Sequence, residues 1–346
     1  MLIFLVTNVK ALDTSATSHI LIDADNNRII DSNNIHNKRS VASISKIMTC
    51  ILALENKDIN DEVIVGNEIE NAYGSSVYLK KGEKLKLIDL LYALMLRSGN
   101  DAALVIAKYV SGDIDTFVSL MNVKAKTLGM KDSTFNNPCG LDEEDEGNIS
   151  TAYDMAILTS YAYKNKTFKK IISTVNYKVK TNQNIYSWNN KHKLLKEKNI
   201  IGGKTGFTNK ARRTLVTIAS KKNVNLIAVT LNDGNDWIDH MGLFEMGFKE
   251  YKKYKIVKKG TIFLYNEKYY KDYDLYIKEN YSLTLTEEER KNIVLKYEIS
   301  DTKKENIGKL KIILYDEVLK EIPIYLKEKN KRNNLEKIKE WFMRLW

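Results

Sequence analysis

The spacing of apolar residues changes period along this chain, and the order of those changes constrains its fold more than any other feature. His19-Ile-Leu-Ile22 and Arg28-Ile-Ile30 are short apolar runs on either side of the polar stretch Asp23–Asn27, which reads as a hairpin. Ile47, Cys50, Ile51 and Leu54 then fall at helical spacing, as do Leu87, Leu90, Leu91, Leu94 and Met95, and again Ala102, Val105, Ile106 and Val110. A further helix is expected over Thr116–Leu128, ended by Gly129, and another over Ala152–Tyr163 with Ser150-Thr151 at its cap. From Ile171 short β-rich runs return: Tyr177–Lys180, Asn199–Gly206, and Leu215–Ala219 with Val224–Thr230 about a Lys-Lys-Asn turn, before a helix over Asp236–Phe248. Strands at both ends with helices between predict an α+β domain whose antiparallel sheet is assembled from the early and the late strands. After Tyr254 only strand-like runs remain, at Thr261–Tyr265, Tyr281–Leu285, Val294–Tyr297, Lys309–Tyr315 and Ile322–Tyr325, which predicts a separate small all-β sandwich domain.

Composition narrows the classes of function. The chain has 346 residues, 43% of them hydrophobic, enough for a sizeable core and for two domains. The formal net charge of +11 reads either as a lysine-rich solvated surface or as a match to an anionic partner such as an acidic cell envelope or an anionic membrane surface. No stripe of Lys and Arg interleaved with aromatics accompanies the motifs below, which argues against nucleic acid. The two cysteines, Cys50 and Cys139, have no CxxC partner and no His in metal-ligand spacing, so no metal is expected; a disulfide between them is left open. No run of about 18 apolar residues exists to span a bilayer. The opening stretch, residues 1–16, resembles the end of a secretory signal peptide, with small residues around Lys10 where a signal peptidase would cut, but it is short and lacks a basic start. The other reading is a first β-strand.

Three short motifs carry the chemistry. In Ser43-Ile44-Ser45-Lys46, at the start of the first helix, a hydroxyl and a primary amine three residues apart share a face. Serine is a poor nucleophile until a base takes its proton, and a lysine of lowered pKa can be that base. Alternatively Ser43 is only a helix cap and Lys46 a surface lysine. Ser98-Gly99-Asn100 places a second hydroxyl and an amide on a tight turn between helices. Lys204-Thr205-Gly206 places an ammonium and a hydroxyl on a strand, with a glycine that lets another backbone come close. Each motif alone is weak; together, in this order and spacing, they form the triplet found in class A β-lactamases and penicillin-binding proteins.

On these residues the chain resembles the D-alanyl-D-alanine carboxypeptidases, the low-molecular-mass penicillin-binding proteins. HILIDADNNRIIDSNN is similar to the family's opening hairpin, NPCGLD followed by ISTAYDMA to its loop and next helix, GGKTGFT to its third motif, and the all-β segment to its C-terminal domain. The resemblance runs from about Thr17 to the end. It implies a penicillin-binding, β-lactamase-like transpeptidase fold over residues 17–253, a β-rich domain over 254–329 and an amphipathic helix over 330–346. It also implies that Ser43 attacks the carbonyl between two D-alanines of a peptidoglycan stem peptide, with Lys46 as base, kept neutral by the nearby Lys204 charge. Ser98 would pass a proton to the leaving D-alanine, and Asn100 would hold the peptide or Lys46. Lys204 and Thr205 would take the terminal carboxylate, the Gly206 strand would pair with the peptide, and the backbone N–H groups of Ser43 and Phe207 would form the oxyanion hole. β-Lactams would be covalent inhibitors, and no cofactor is called for. Cys139 and Asn148 stand in a region where the family often has a His, Arg212-Arg213 follows Ala211 where it usually has a Gly, and Asn190-Lys-His192 replaces Asn-x-Asn.

Two other functions compete. A class A β-lactamase would need a glutamate for deacylation, and no ExxLN-like segment lies between Asn100 and Lys204; Glu143–Glu146 reads as a solvated acidic loop. A non-catalytic cell-wall binding protein would not need Ser43, Lys46, Ser98 and Lys204 intact. At the chain end Leu335, Ile338, Trp341, Phe342, Leu345 and Trp346 share one helical face, with Lys337, Lys339 and Arg344 elsewhere. This predicts either an interfacial helix that holds the enzyme to the outer face of the cytoplasmic membrane or a terminal helix packed on the β domain.

Overall fold

The computed structural model describes residues 12–142, 147–262, 270, 273–300 and 305–328. The chain divides into two compact units between Lys249 and Glu250. The strand Lys252–Val257 belongs to the second unit, a few residues before the Tyr254 at which the sequence changes character.

The first unit is built on one five-stranded antiparallel sheet. Its strands run in the order Ile29–Asn33, Ser18–Asp23, Val224–Leu231, Arg212–Lys221 and Ile200–Thr208. The early hairpin therefore joins the late strands, with Ser18 opposite Leu231 and Asp23 opposite Leu226. Every residue of Ser18–Asp23 is buried, as a central strand covered on both faces must be. Ile20, Ile22, Val216, Ile218, Ile227 and Val229 share a core with the helix Lys46–Asn56, through Ile47, Met48 and Ile51, and with the helices Asn100–Ser111 and Ala152–Tyr163. The helix Asp236–Glu250 meets the sheet through Gly247, where an added Cβ would stand 2.7 Å from Leu226 Cδ1.

Local signals behave as their chemistry demands. Thr151 caps Ala152–Tyr163 by accepting from Asp154 N, and Asp113 caps Ile114–Thr127 by accepting from Thr116 N. The helical run from Leu87 ends differently from its periodicity. An α-helix over Leu87–Tyr92 widens into a π-helical turn, Ala93–Arg97, and stops at Ser98 in the left-handed conformation (φ 64°). Ile171, expected to begin β structure, lies in the helix Lys166–Ser173, which Asn165 caps and which buries Phe168, Ile171 and Ile172. The Asn56–Tyr163 region also holds a small strand pair, Glu62–Ile64 with Lys84–Lys86.

Among the described residues the second unit is all β apart from one turn of helix, Glu287–Lys291, closed by a capping box between Thr286 and Glu289. A five-stranded sheet (Gly260–Ile262, Tyr273–Ile277, Glu317–Glu328, Asn306–Leu314, Ile293–Ile299) and a two-stranded one (Lys252–Val257, Tyr281–Leu285) share a core that includes Leu275, Ile277, Leu283, Leu285, Ile312 and Ile324. This is the expected sandwich. Most of the expected strand Thr261–Tyr265, the acidic loop Glu143–Glu146 and the amphipathic stretch 330–346 lie outside the described residues.

Candidate active site

Ser43 lies on a 3₁₀ turn, Ala42–Ser45, that runs straight into the helix beginning at Lys46. In a 3₁₀ turn residues three apart eclipse, so the Lys46 side chain rises beside the Ser43 hydroxyl. Their Nζ and Oγ atoms lie 3.0 Å apart. Ala42, just before Ser43, takes φ 50°, a strained value for a residue with a Cβ. The loop around Gly140 closes on it: at φ 78°, Gly140 sits where any Cβ would be 2.1 Å from Ala42 O. Asn137 shapes that loop by accepting from the N–H groups of Cys139, Gly140 and Leu141 through one amide oxygen. Asn148 braces it by accepting from Asn136 N and donating to Asn137 O.

The loop's purpose shows at Cys139, whose carbonyl accepts from Lys46 Nζ. Asn100 Oδ1, 2.7 Å away, is the amine's third partner. The orientation of that amide is set from its far side, where Nδ2 donates to Tyr73 O. Two of the three partners can only accept. A neutral amine has two N–H donors and one lone pair, so donating to Cys139 O and Asn100 Oδ1 leaves the lone pair for the Ser43 O–H. Lys46 is wholly buried, and burial lowers its pKa from 10.5 to about 8. Cys139 and Asp101 pull it up, and the Lys191 charge pulls it down. The expected cause, the Lys204 charge, is therefore not the main one: removal from water is.

Lys204 is 2% exposed, and its Nζ donates to Ser98 Oγ at 3.1 Å and to Thr205 O at 2.7 Å. Burial, then Lys46 and Lys191, push its pKa well below the usual lysine value. The second and third motifs thus meet as a serine–lysine pair, as the first does. Asp101, which the sequence reading passed over, anchors the neighbouring wall by accepting from Val77 N, Leu79 N and Ser76 Oγ. Asn100 N donates to Ser75 O at 2.7 Å, which brings Ser75 to the cleft.

The strand carrying Lys204 is the edge of the sheet, so one side of its backbone is unpaired. Gly206 lets it approach the Ser43 turn: a Cβ there would stand 3.0 Å from Ser43 N and 2.4 Å from Thr214 Oγ1. This brings the Gly206–Phe207 backbone against the N–H of Ser43, where a two-donor oxyanion hole requires it. Ser43, Ser98, Thr205, Gly206 and Phe207 line one cleft of about 300 Å³, with Ser75, Lys191, Arg213, Asp236 and Trp237. Lys46, Asn100 and Lys204 lie behind its surface, buried. All eight residues singled out from the sequence come together. Asp236 and Trp237 were missed, since nothing in their local pattern marks them, and Lys191 was passed over although it lies in the Asn190-Lys-His192 segment that replaces Asn-x-Asn. Cys50 and Cys139 are both buried and no disulfide joins them, which closes the disulfide question for this structure. Among the described residues no cluster of His, Cys, Asp and Glu could hold a metal.

A hydroxyl beside a buried amine, a second serine–lysine pair and an open strand edge in one cleft define a serine acyl-transfer site of the penicillin-interacting kind. Comparison with known proteins agrees. The profile of the D-alanyl-D-alanine carboxypeptidases matches residues 5–235, and that of the penicillin-binding protein 5 C-terminal domain matches residues 251–332. The D-alanyl-D-alanine carboxypeptidase DacF of Bacillus subtilis is 32% identical over 257 residues, covering 71% of this chain and 65% of the relative, just under two thirds of its length. DacC of Escherichia coli is 30% identical over 320 residues, covering 85% and 77%. In structure, penicillin binding protein 5 from Haemophilus influenzae aligns over 93% of this chain and 99% of its own with a TM-score of 0.78; at 23% identity this speaks for the fold alone. Penicillin binding protein 6B from Escherichia coli aligns over 91% and 96% with a TM-score of 0.74 at 26% identity. The chain belongs to the D-alanyl-D-alanine carboxypeptidase family.

Proposed function

We propose that this chain is a serine-type D-Ala-D-Ala carboxypeptidase that removes the terminal D-alanine from peptidoglycan stem pentapeptides through an acyl-enzyme. The observation that carries the reading is the Lys46 amine, whose two acceptor-only partners leave its lone pair for Ser43. Ser43 Oγ attacks the carbonyl of the penultimate D-alanine as its proton passes to Lys46. The oxyanion is met by the N–H groups of Ser43 and Phe207, each worth about 3–4 kcal/mol in comparable sites. Ser98, held by Lys204, gives its proton to the leaving nitrogen as the C–N bond breaks and takes back the one that Lys46 received, so that D-alanine departs with both groups restored. Water then cleaves the Ser43 ester. Thr205, with Lys204 behind it, meets the terminal carboxylate, and the strand edge pairs with the extended peptide. A β-lactam would follow the first half of this path and remain as an ester on Ser43. The described lining of the cleft holds no glutamate of the kind class A β-lactamases use for deacylation.

The test is labelling with a fluorescent penicillin together with D-alanine release from diacetyl-L-lysyl-D-alanyl-D-alanine. Wild type should label, release D-alanine and free the label slowly; Ser43→Ala should do none of these. Label traced by mass spectrometry to another serine in Ser43→Ala would overturn the assignment, and rapid turnover of penicillin would favour a β-lactamase.

We also propose that the enzyme works outside the cytoplasm, held on the anionic outer surface of the cytoplasmic membrane by residues 330–346. The aromatic and cationic pattern of that stretch supports this, as does the leader-like opening. Full-length protein should float with anionic vesicles and protein truncated after Asn334 should not; equal behaviour of the two would defeat the anchor.

A further inference from the structure

One wall of the cleft is not explained by the three motifs. Phe207 and Arg213 are cross-strand partners at its edge, and Asp236 and Trp237 stand beside them in the cleft lining. Arg213 belongs to the Arg-Arg pair that departs from the family's usual pattern. Its Nη2 donates to Asp236 Oδ1, a carboxylate only 4% exposed. Its guanidinium lies 5.6 Å from the Trp237 ring, and the buried His192 meets that ring edge-on at 5.5 Å. The Arg213 head is thus held in place by a carboxylate and an aromatic face. Yet the side chain remains 41% exposed, and its other terminal nitrogen has no protein partner among the described residues. A guanidinium has five N–H donors and keeps its charge at any working pH, so it can serve Asp236 and a second carboxylate together.

The other cations at the site already hold protein partners of their own, and Lys204 reaches the carboxylate only from behind Thr205. Lys204 is buried and turned to Ser98, Lys46 is turned to Ser43, and Lys191 Nζ donates to Ser75 Oγ at 3.2 Å. Arg213 stands opposite Phe207 on the neighbouring strand and lines the same cleft as Ser43, Ser98 and Thr205, within which the leaving residue must lie.

We infer that Arg213 binds the free carboxylate of the leaving residue and so makes the enzyme select peptide ends over internal D-alanyl bonds. This rests on the carboxypeptidase reading, and the test separates the two. Full-length wild type, Arg213→Gln and Arg213→Lys are compared on diacetyl-L-lysyl-D-alanyl-D-alanine and on the same peptide with its C-terminal carboxylate converted to an amide. One charge-assisted contact predicts that Arg213→Gln loses about 30-fold in kcat/KM on the acid, mainly through KM. On the amide it should change by less than about 3-fold, and Arg213→Lys should recover part of the loss. Equal losses on both peptides would mean a structural role, and no loss on the acid would mean no role; either overturns the inference. Should Arg213→Gln fail to fold, Arg213→Met, which keeps the stem against Trp237, gives the same readout. A wild type that neither acylates with benzylpenicillin nor releases D-alanine would defeat the carboxypeptidase reading itself.

Discussion

The two units of this protein differ in the lysines they bury. The first buries Lys46 and Lys204 completely, and neither bonds to a carboxylate; their partners are hydroxyls, carbonyls and an amide. Among its described residues the second buries no lysine and holds pairs such as Lys311–Glu298 at 2.8 Å, Lys309–Glu321 at 2.8 Å and Lys252–Glu287 at 2.7 Å, much like Lys84–Glu62 of the first, over a core mostly of Leu, Ile and Val. Surface pairs of this kind contribute little to stability, whereas a buried amine without a counter-charge is costly. A chain with this much lysine has no folding reason to bury two of them together. That it does so beside two serines marks the place where stability is exchanged for reactivity.

This contrast can be broken at several points. The largest effect is expected from Lys46→Arg, since arginine cannot give up its proton: penicillin acylation should fall by at least about 10³-fold while the circular dichroism of the folded chain is kept. Acylation at wild-type rate would remove Lys46 from the mechanism. In the β unit the reverse is expected of Ile312→Ala. Ile312 is wholly buried, so its truncation should cost about 2–5 kcal/mol in urea unfolding, with the acylation rate per folded molecule unchanged.

The next effect is one of pH. Folded Lys46 gives up its proton near pH 8, against 10.5 in the unfolded chain. Between these values the unfolded chain binds more protons, so stability should rise with pH, and the cost of burying the charged amine is fully present below about pH 8. The rise should be on the order of 3 kcal/mol. Lys204, lowered in the same direction, adds to it. Tyr177 and Tyr186, raised by burial and by their carboxylate partners, act oppositely above about pH 10, so the comparison belongs between pH 7 and 10. It is measured on the unfolding transition that abolishes penicillin labelling. Lys46→Met should make the curve shallower, leaving the part due to Lys204, and a wild-type curve already flat would mean that Lys46 is not perturbed. The smallest effect is expected from Lys311→Ala, with activity unchanged and Tm within about 2 °C of wild type. A larger loss would show that the surface pairs of the β unit matter more than their exposure implies.

Much of this protein was legible from local chemistry. A hydroxyl or carboxylate before an apolar helical run caps that helix whatever surrounds it, so Thr151 could be read directly. Period-2 runs about Lys-Lys-Asn make a hairpin for equally local reasons. The helix at Lys166–Ser173 could also have been found, since Asn165 and the spacing of Phe168, Ile171 and Ile172 announce it, but the β-branched Ile-Ile pair drew the reading towards a strand. The π-helical turn before Ser98 could not, because one extra residue per turn hardly alters a short apolar pattern.

The site shows the same division at larger scale. The sequence by itself determined which groups could react: a serine and an amine three residues apart, a second serine on a glycine turn, and a lysine and threonine on a strand. Only the tertiary structure decided what they are. Ser43, Ser98 and Lys204 meet because the early hairpin pairs with the late strands and leaves the Lys204 strand at the sheet edge. Lys46 has the surroundings that the proposed base needs because a loop some ninety residues later turns the Cys139 carbonyl onto it, while Asn100, fixed through Tyr73, supplies the other acceptor. A lysine's pKa follows from how much water and charge surround it, and that environment is assembled from segments that no local pattern connects.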